Sequence, residues 1–111
     1  MPCSPLLTDL YELTMLAGYL EQGMTERPAV FDCYFRHNPF AGGYAIFAGL
    51  QPALEALESL RFSEEEIDYL RGLHLFKPAF LDYVQRFRFR GRVIAPPEGT
   101  PVVTLAVLAE G

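Results

Sequence analysis

The strongest constraint on this chain is a run near its start, Leu6 to Leu20, in which Leu6, Leu10, Leu13, Ala17 and Leu20 recur at steps of four and three. That spacing lines them up on one side of an α-helix, because each residue turns the helix by about 100°. A second stripe, Tyr11, Thr14, Met15 and Gly18, follows the same period beside the first. It is less apolar, and Gly18 leaves room for another backbone to come close. Such a helix packs inward with one stripe and has an aromatic, semi-polar side left over. Thr8 and Asp9 mark its entry, since either side chain can accept from the free backbone N–H groups of a first turn. Asp9 and Glu12 also put negative charge at the positive end of the helix dipole.

Geometry limits what these residues can do together. Two positions on a regular helix differ by about 200°, so Asp9 and Tyr11 would face opposite ways. They can converge on one ligand only if Asp9 sits at the cap, before the helical turn is established. Otherwise Asp9 is simply a cap and Tyr11 a half-buried packing tyrosine.

Length and composition fit one domain: 111 residues, half of them hydrophobic, with nine phenylalanines and six tyrosines. A chain of this size buries roughly two-thirds of its unfolded surface. So apolar a composition implies that a partner, another subunit or a further part of the same protein, finishes some of the apolar surface. The net charge of −5 argues against general nucleic-acid binding, which needs a positive surface. Cys3 and Cys33 form no CxxC pair and no disulfide framework. Without a signal peptide or an apolar run near the length of a membrane span, a soluble, reduced, cytoplasmic protein with no membrane partner is expected.

Past a helix stop at Gly23, Ala29 to Arg36 has the composition of a strand, with Val30, Phe31, Cys33, Tyr34 and Phe35 around Asp32. A run so continuously apolar predicts a strand covered on both faces, in which Asp32 needs a partner. His37 to Gly43 is a loop by composition, and Tyr44 to Ala48 a second strand. Leu50, Leu54, Leu57 and Leu60 then restore the helical period. Ser63-Glu64-Glu65-Glu66 is a capping box ahead of Ile67 and Leu70, and Pro78 opens a further short helix. Arg92 to Ala95 predicts a strand and Val102 to Leu108 a final one. The resulting class is α+β, a small sheet packed with helices, with no βαβ array, repeat or linker.

Candidate chemistry is sparse. Arg86-Phe87-Arg88-Phe89-Arg90-Gly91-Arg92 holds four of the nine basic residues. It suits either an anion patch with aromatics or a segment with one solvated and one packed face. In the loop from Asn38 to Gly43, glycine N–H groups could hold phosphate, and Arg36 could reach an anion or pair with a carboxylate. Gly42-Gly43, however, has neither P-loop nor G-x-G-x-x-G spacing. His37 and His74 are isolated, so no metal site is expected. No G-x-S-x-G elbow is present, and no residue is singled out as catalytic.

The residues themselves go further. Leu7-Thr8-Asp9-Leu10-Tyr11-Glu12-Leu13-Thr14-Met15 closely resembles the opening signature of nicotinate phosphoribosyltransferases. The likeness continues through Val30 to Phe40, Gly42 to Leu50, Ile67 to Leu70, Phe80 to Tyr83, and Pro97-Glu98-Gly99-Thr100. Blocks in register over most of the chain are far more specific than any one alone. The resemblance implies the N-terminal sandwich domain of a type II phosphoribosyltransferase, with the (β/α) barrel absent. Members join nicotinate to phosphoribosyl pyrophosphate through an oxocarbenium-like state, releasing pyrophosphate, with Mg²⁺ and ATP serving the complete enzyme. None of these cofactors is expected to bind this chain alone.

Active sites of that family lie between subunits of a head-to-tail dimer. A motif tyrosine from one subunit lies over the nicotinate of the other; Tyr11 matches it. Asp9 matches the motif's aspartate, a base-pocket residue in related nicotinamide enzymes. Arg36, Asn38 and Gly43 are candidate phosphate or interface contacts. The family's phosphorylatable histidine and nicotinate-binding arginine lie in the barrel, and neither His37 nor His74 inherits those roles. Residues 101–111 are shorter than the strand that enters the barrel. The chain is therefore expected to be a fragment, a split-gene product or a domain working with a separate barrel chain. The alternative is a non-catalytic, self-associating remnant that kept the fold.

Overall fold

A computed structural model describes residues 3–103 and 107–110, the last four as backbone. The described residues form an α+β structure that divides into two compact units. The first falls within residues 1–27 and 56–89, the second within 28–55 and 90–111. Among the described residues no helix is long and apolar enough to cross a membrane.

The first unit is helical. It contains α1 (Leu10–Glu21), α3 (Glu64–Gly72) and α4 (Pro78–Gln85), and α2 (Leu50–Glu58) is divided between the two sets of residues. α1 ends where Gly23 turns left-handed at φ +68°. There Gly23 N donates to Leu20 O at 3.1 Å and Met24 N to Tyr19 O at 2.9 Å. That pair of bonds is a Schellman stop, which a residue with a Cβ would strain. α3 starts on Ser63, whose Oγ accepts from Glu66 N at 3.2 Å. The reciprocal half of the capping box is not made: the buried Oε2 of Glu66 has no hydrogen-bond partner. Pro78 opens α4, where its missing N–H costs nothing.

The core of this unit is Leu13, Ile67, Leu70, Phe80, Leu81 and Val84. Leu6, Leu16, Ala17, Leu20 and Phe76 pack around it, and Phe76 stacks on Phe80 with ring centroids 4.8 Å apart. The inward face of α1 is therefore Leu13, Leu16, Ala17 and Leu20. Leu10, assigned to that stripe by spacing, is instead half exposed. As the first helical residue it lies about 60° beyond Leu13 at the edge of the stripe, where the core no longer reaches.

The second unit holds the strands. β1 (Val30–Cys33) and β3 (Arg92–Ile94) both pair antiparallel with β5 (Val107–Glu110), giving the order β1-β5-β3. The register sets Val30 opposite Glu110 and Cys33 opposite Val107 on one side, and Arg92 opposite Glu110 on the other. β2 (Ala45–Ile46) pairs with β4 (Pro101–Val102) as a separate two-stranded ladder. The long final strand expected from Val102 to Leu108 is thus represented by β4 and β5, and its residues 104–106 lie outside the described ones.

One expectation fails clearly. β1 was expected to be covered on both faces, yet all four of its residues are exposed, with Phe31 at 68%. Asp32 is exposed as well and needs no buried partner. The apolar run fits a strand that would be covered, but nothing described in this chain supplies the cover.

Candidate functional site

Asp9 and Tyr11 stand at the entry of α1, in the first unit. Asp9 is the N-cap residue, with extended backbone angles (φ −79°, ψ 145°), and its main-chain oxygen accepts from Glu12 N at 3.1 Å. Its carboxylate makes no capping hydrogen bond and is exposed. The 200° separation that two helical residues would have does not apply, because Asp9 lies before the helical turn. A carboxylate at a helix N-terminus that caps nothing remains available for an outside donor, and the dipole favours its charge.

Tyr11 follows one residue into the helix, with 59% of the residue exposed. Its ring is not sealed within the unit. Tyr11 and Met15, and Leu10, Thr14 and Gly18, each at steps of four, make up one outward strip of α1, with Leu7 exposed in the bend before the helix. Thr14 turns its hydroxyl back to Tyr11 O at 3.0 Å, which reduces the polarity of the strip. A Cβ at Gly18 would meet nothing within 4 Å, so the surface there is open. The strip offers a flat aromatic face flanked by aliphatic side chains, with the Asp9 carboxylate two residues before Tyr11 at the cap. Such a set can stack a planar heteroaromatic ring and accept a hydrogen bond from its substituents. It contains no nucleophile and base pair.

Arg36, Asn38 and Gly43 share the β1–β2 loop of the second unit. The loop is wound tightly. Pro39–Ala41 forms a single 3-10 turn closed by Gly42 N to Pro39 O at 3.0 Å. Phe40 (φ 57°) and Ala41 (φ 51°) are both left-handed, a strained conformation for residues with side chains. Phe40 is fully exposed, so burial of its ring does not compensate for that strain. Asn38 directs a shielded Oδ1 that has no hydrogen-bond partner, and Arg36 is exposed at a bend. The more crowded glycine is Gly42, where a Cβ would lie 3.3 Å from Pro39 O, a tight contact. At Gly43 a Cβ would meet nothing within 4 Å.

Two sites were not singled out from the sequence. Glu98, noticed only as part of a matching block, accepts from the backbone N–H groups of Gly49 (3.2 Å), Leu50 and Gln51 (3.2 Å). The signal was present: α2 follows Gly49, which has no side chain to cap the first turn, so those donors had to be met from elsewhere. The other is an open cleft of about 340 Å³ in the helical unit, lined by Arg71, His74, Phe76, Pro78, Leu81 and Asp82. The Arg71 guanidinium at its edge pairs with Asp68.

The Arg-Phe tract follows its two-faced reading. Phe87 and Phe89 are half-buried while Arg86 and Arg88 are exposed, and Phe87 meets Phe62 edge-on at 6.4 Å. Arg86 Nε donates to Asp82 O at 3.3 Å and Arg88 Nη1 to Phe87 O at 2.6 Å. Among the described residues no three His, Cys, Asp or Glu side chains gather as a metal site.

Residues 6–109 match the model of the nicotinate phosphoribosyltransferase (NAPRTase) N-terminal domain. The chain is 44% identical over 97 residues to nicotinate phosphoribosyltransferase pncB2 of Mycobacterium tuberculosis, an alignment covering 87% of this chain and 21% of that protein. It is 42% identical over 83 residues to the nicotinate phosphoribosyltransferase of Caenorhabditis elegans, covering 73% of this chain and 15% of the relative. With the mouse protein of the same name it shares 36% over 103 residues, 90% of this chain and 19% of the relative. The chain thus spans about a fifth or less of the length of these relatives.

Proposed function

Because the chain belongs to the nicotinate phosphoribosyltransferase family, we propose that it serves as the N-terminal part of such an enzyme, cytoplasmic and assembled from more than one copy or with a separate barrel chain. The whole enzyme joins nicotinate to phosphoribosyl pyrophosphate to give nicotinate mononucleotide, with ATP hydrolysis driving the step. This chain contributes Tyr11 as a stacking surface for the pyridine ring and the outward strip of α1 as a subunit surface. The observation that carries the reading is the exposure of Tyr11 on an apolar strip that its own unit does not cover.

The division of labour follows from the side chains present. Stacking on a tyrosine adds about 0.5–1.5 kcal/mol to burial of a planar ring. Asp9 would repel the carboxylate of nicotinate, so its role in this reading is to accept from a sugar hydroxyl or to orient an arginine. When bound, Mg²⁺ offsets phosphate charge in the complete enzyme. The described residues offer no cluster that fits it, and none is assigned to it or to ATP. Arg36, Asn38 and Gly43 remain contacts for phosphate or a neighbouring subunit in this reading, with the shielded Oδ1 of Asn38 seeking a donor.

The test is reconstitution. The purified chain should show no turnover alone and should support it when a barrel-containing polypeptide is added. In the assembled enzyme Tyr11→Ala should lower kcat/KM by about tenfold, while Tyr11→Phe, which keeps the ring, should stay near wild type. Turnover by the chain alone, or indifference of the assembled enzyme to Tyr11→Ala, would overturn the reading. A second reading, a self-associating domain without catalysis, is favoured by the bare apolar face of β1. Under it, Tyr11→Ala would change stability alone, by about 1 kcal/mol.

A further inference from the structure

We propose that Glu98 is the latch of a strap: its carboxylate fastens residues 96–101 to the start of α2, so that the strap and the first turn of the helix open and close together. All the parts lie in the second unit. The first turn of α2 presents three backbone N–H groups, those of Gly49, Leu50 and Gln51, to the same side chain. Gly49 is left-handed at φ +102°, which swings the chain into the helix and leaves the carboxylate of Glu98 in the place that a Ser or Asp cap would fill.

The rest of the strap is held by the main chain. Phe47 N donates to Thr100 O at 2.9 Å, and Gly99 N donates to Phe47 O at 2.7 Å. The turn is braced internally, with Thr100 Oγ1 donating to Pro97 O at 2.6 Å. β4 continues directly from it into pairing with β2. Only one charged group takes part in this set, and charge-assisted hydrogen bonds are about twice as strong as neutral ones. The latch bonds lie at exposed positions, where local opening costs less than global unfolding. The strap is therefore poised to release when Glu98 lets go.

Amide hydrogen exchange on the full chain tests the coupling. In Glu98→Ala the amides of Gly49, Leu50 and Gln51 should exchange roughly tenfold faster or more, and those of Phe47 and Gly99 should accelerate by the same factor. The amides of β1 should keep wild-type rates. Glu98→Gln retains one acceptor oxygen without the charge and should fall between the two. Acceleration confined to residues 49–51 would make Glu98 a simple cap and overturn the proposal. An equal rise across β1 would also overturn it, because the opening would then be unfolding of the whole unit.

Discussion

The two units of this chain are held together by different means. The helical unit owns a core of six buried apolar side chains, with Phe80, Leu70 and Val84 almost wholly removed from water. In the strand unit the buried apolar residues among those described are Ala45 and Phe47. Its order comes from short antiparallel ladders and from the Glu98 carboxylate on the start of α2. The helical unit closes a core of its own while leaving the α1 strip bare, whereas the strand unit has ordered its backbone around little buried surface and left Val30, Phe31 and Ile46 facing out. Apolar surface left bare on an ordered backbone marks a face built to be covered.

The sharpest way to break this contrast is to delete one phenyl ring from each unit. Phe80→Ala empties a fully buried site and should cost about 3–5 kcal/mol, enough to unfold a marginal domain. Phe31→Ala removes a ring that is already in water and should stay within about 0.5 kcal/mol. Urea unfolding of the two variants measures both. Equal losses would show that β1 is covered after all, by association between copies or otherwise.

A second comparison sits within the strand unit. Gly49 and Gly43 both have open space where a Cβ would be placed, but only Gly49 has a left-handed φ. Gly49→Ala should therefore cost about 1–3 kcal/mol from backbone strain alone, and Gly43→Ala within about 0.5 kcal/mol. Thermal unfolding separates them. A costly Gly43→Ala with normal folding at Gly49→Ala would reverse the assignment of which glycine the loops need.

What the sequence disclosed follows the range of the interactions concerned. The start of α3 at Ser63, the start of α4 at Pro78 and the stop at Gly23 are set within four residues of chain, and all three are where local chemistry puts them. The helical class of the run from Leu10 to Leu20 was equally legible, with residues 6–9 forming its approach instead, but not its edge, because Leu10 or Leu16 faces inward according to where α3 and α4 happen to lie. β1 was misjudged for a different reason. Its apolar run records the surroundings the strand is suited to, and those are not supplied by the described residues. The uncapped start of α2 after Gly49 was legible, but not that Glu98 meets its donors, because they lie 47 to 49 residues away. At the candidate site, position was readable and ligand was not: Asp9 at the cap and Tyr11 on the outer strip follow from helical geometry, whereas a pyridine ring follows only from family likeness.

The smallest expected effect tests whether charge shares the work of the helical core. Lys77 Nζ lies 2.6 Å from Glu21 Oε1, joining the residue before α4 to the last turn of α1. The hydrogen bond to Glu21, and then its negative charge, raise the ammonium above its ordinary 10.5. The folded state thus holds this proton more tightly than the unfolded one, so the contribution is complete below pH 10.5 and fades as pH rises through the higher folded value. Both side chains are well exposed, and solvent screening keeps the contribution small. Lys77→Met should leave neutral-pH stability nearly unchanged and remove only the part of the stability loss above pH 10.5 that belongs to this group. If Lys77→Met proved as costly at neutral pH as Phe80→Ala, the helical unit would depend on its ion pair as much as on its core, and the contrast with the strand unit would fail.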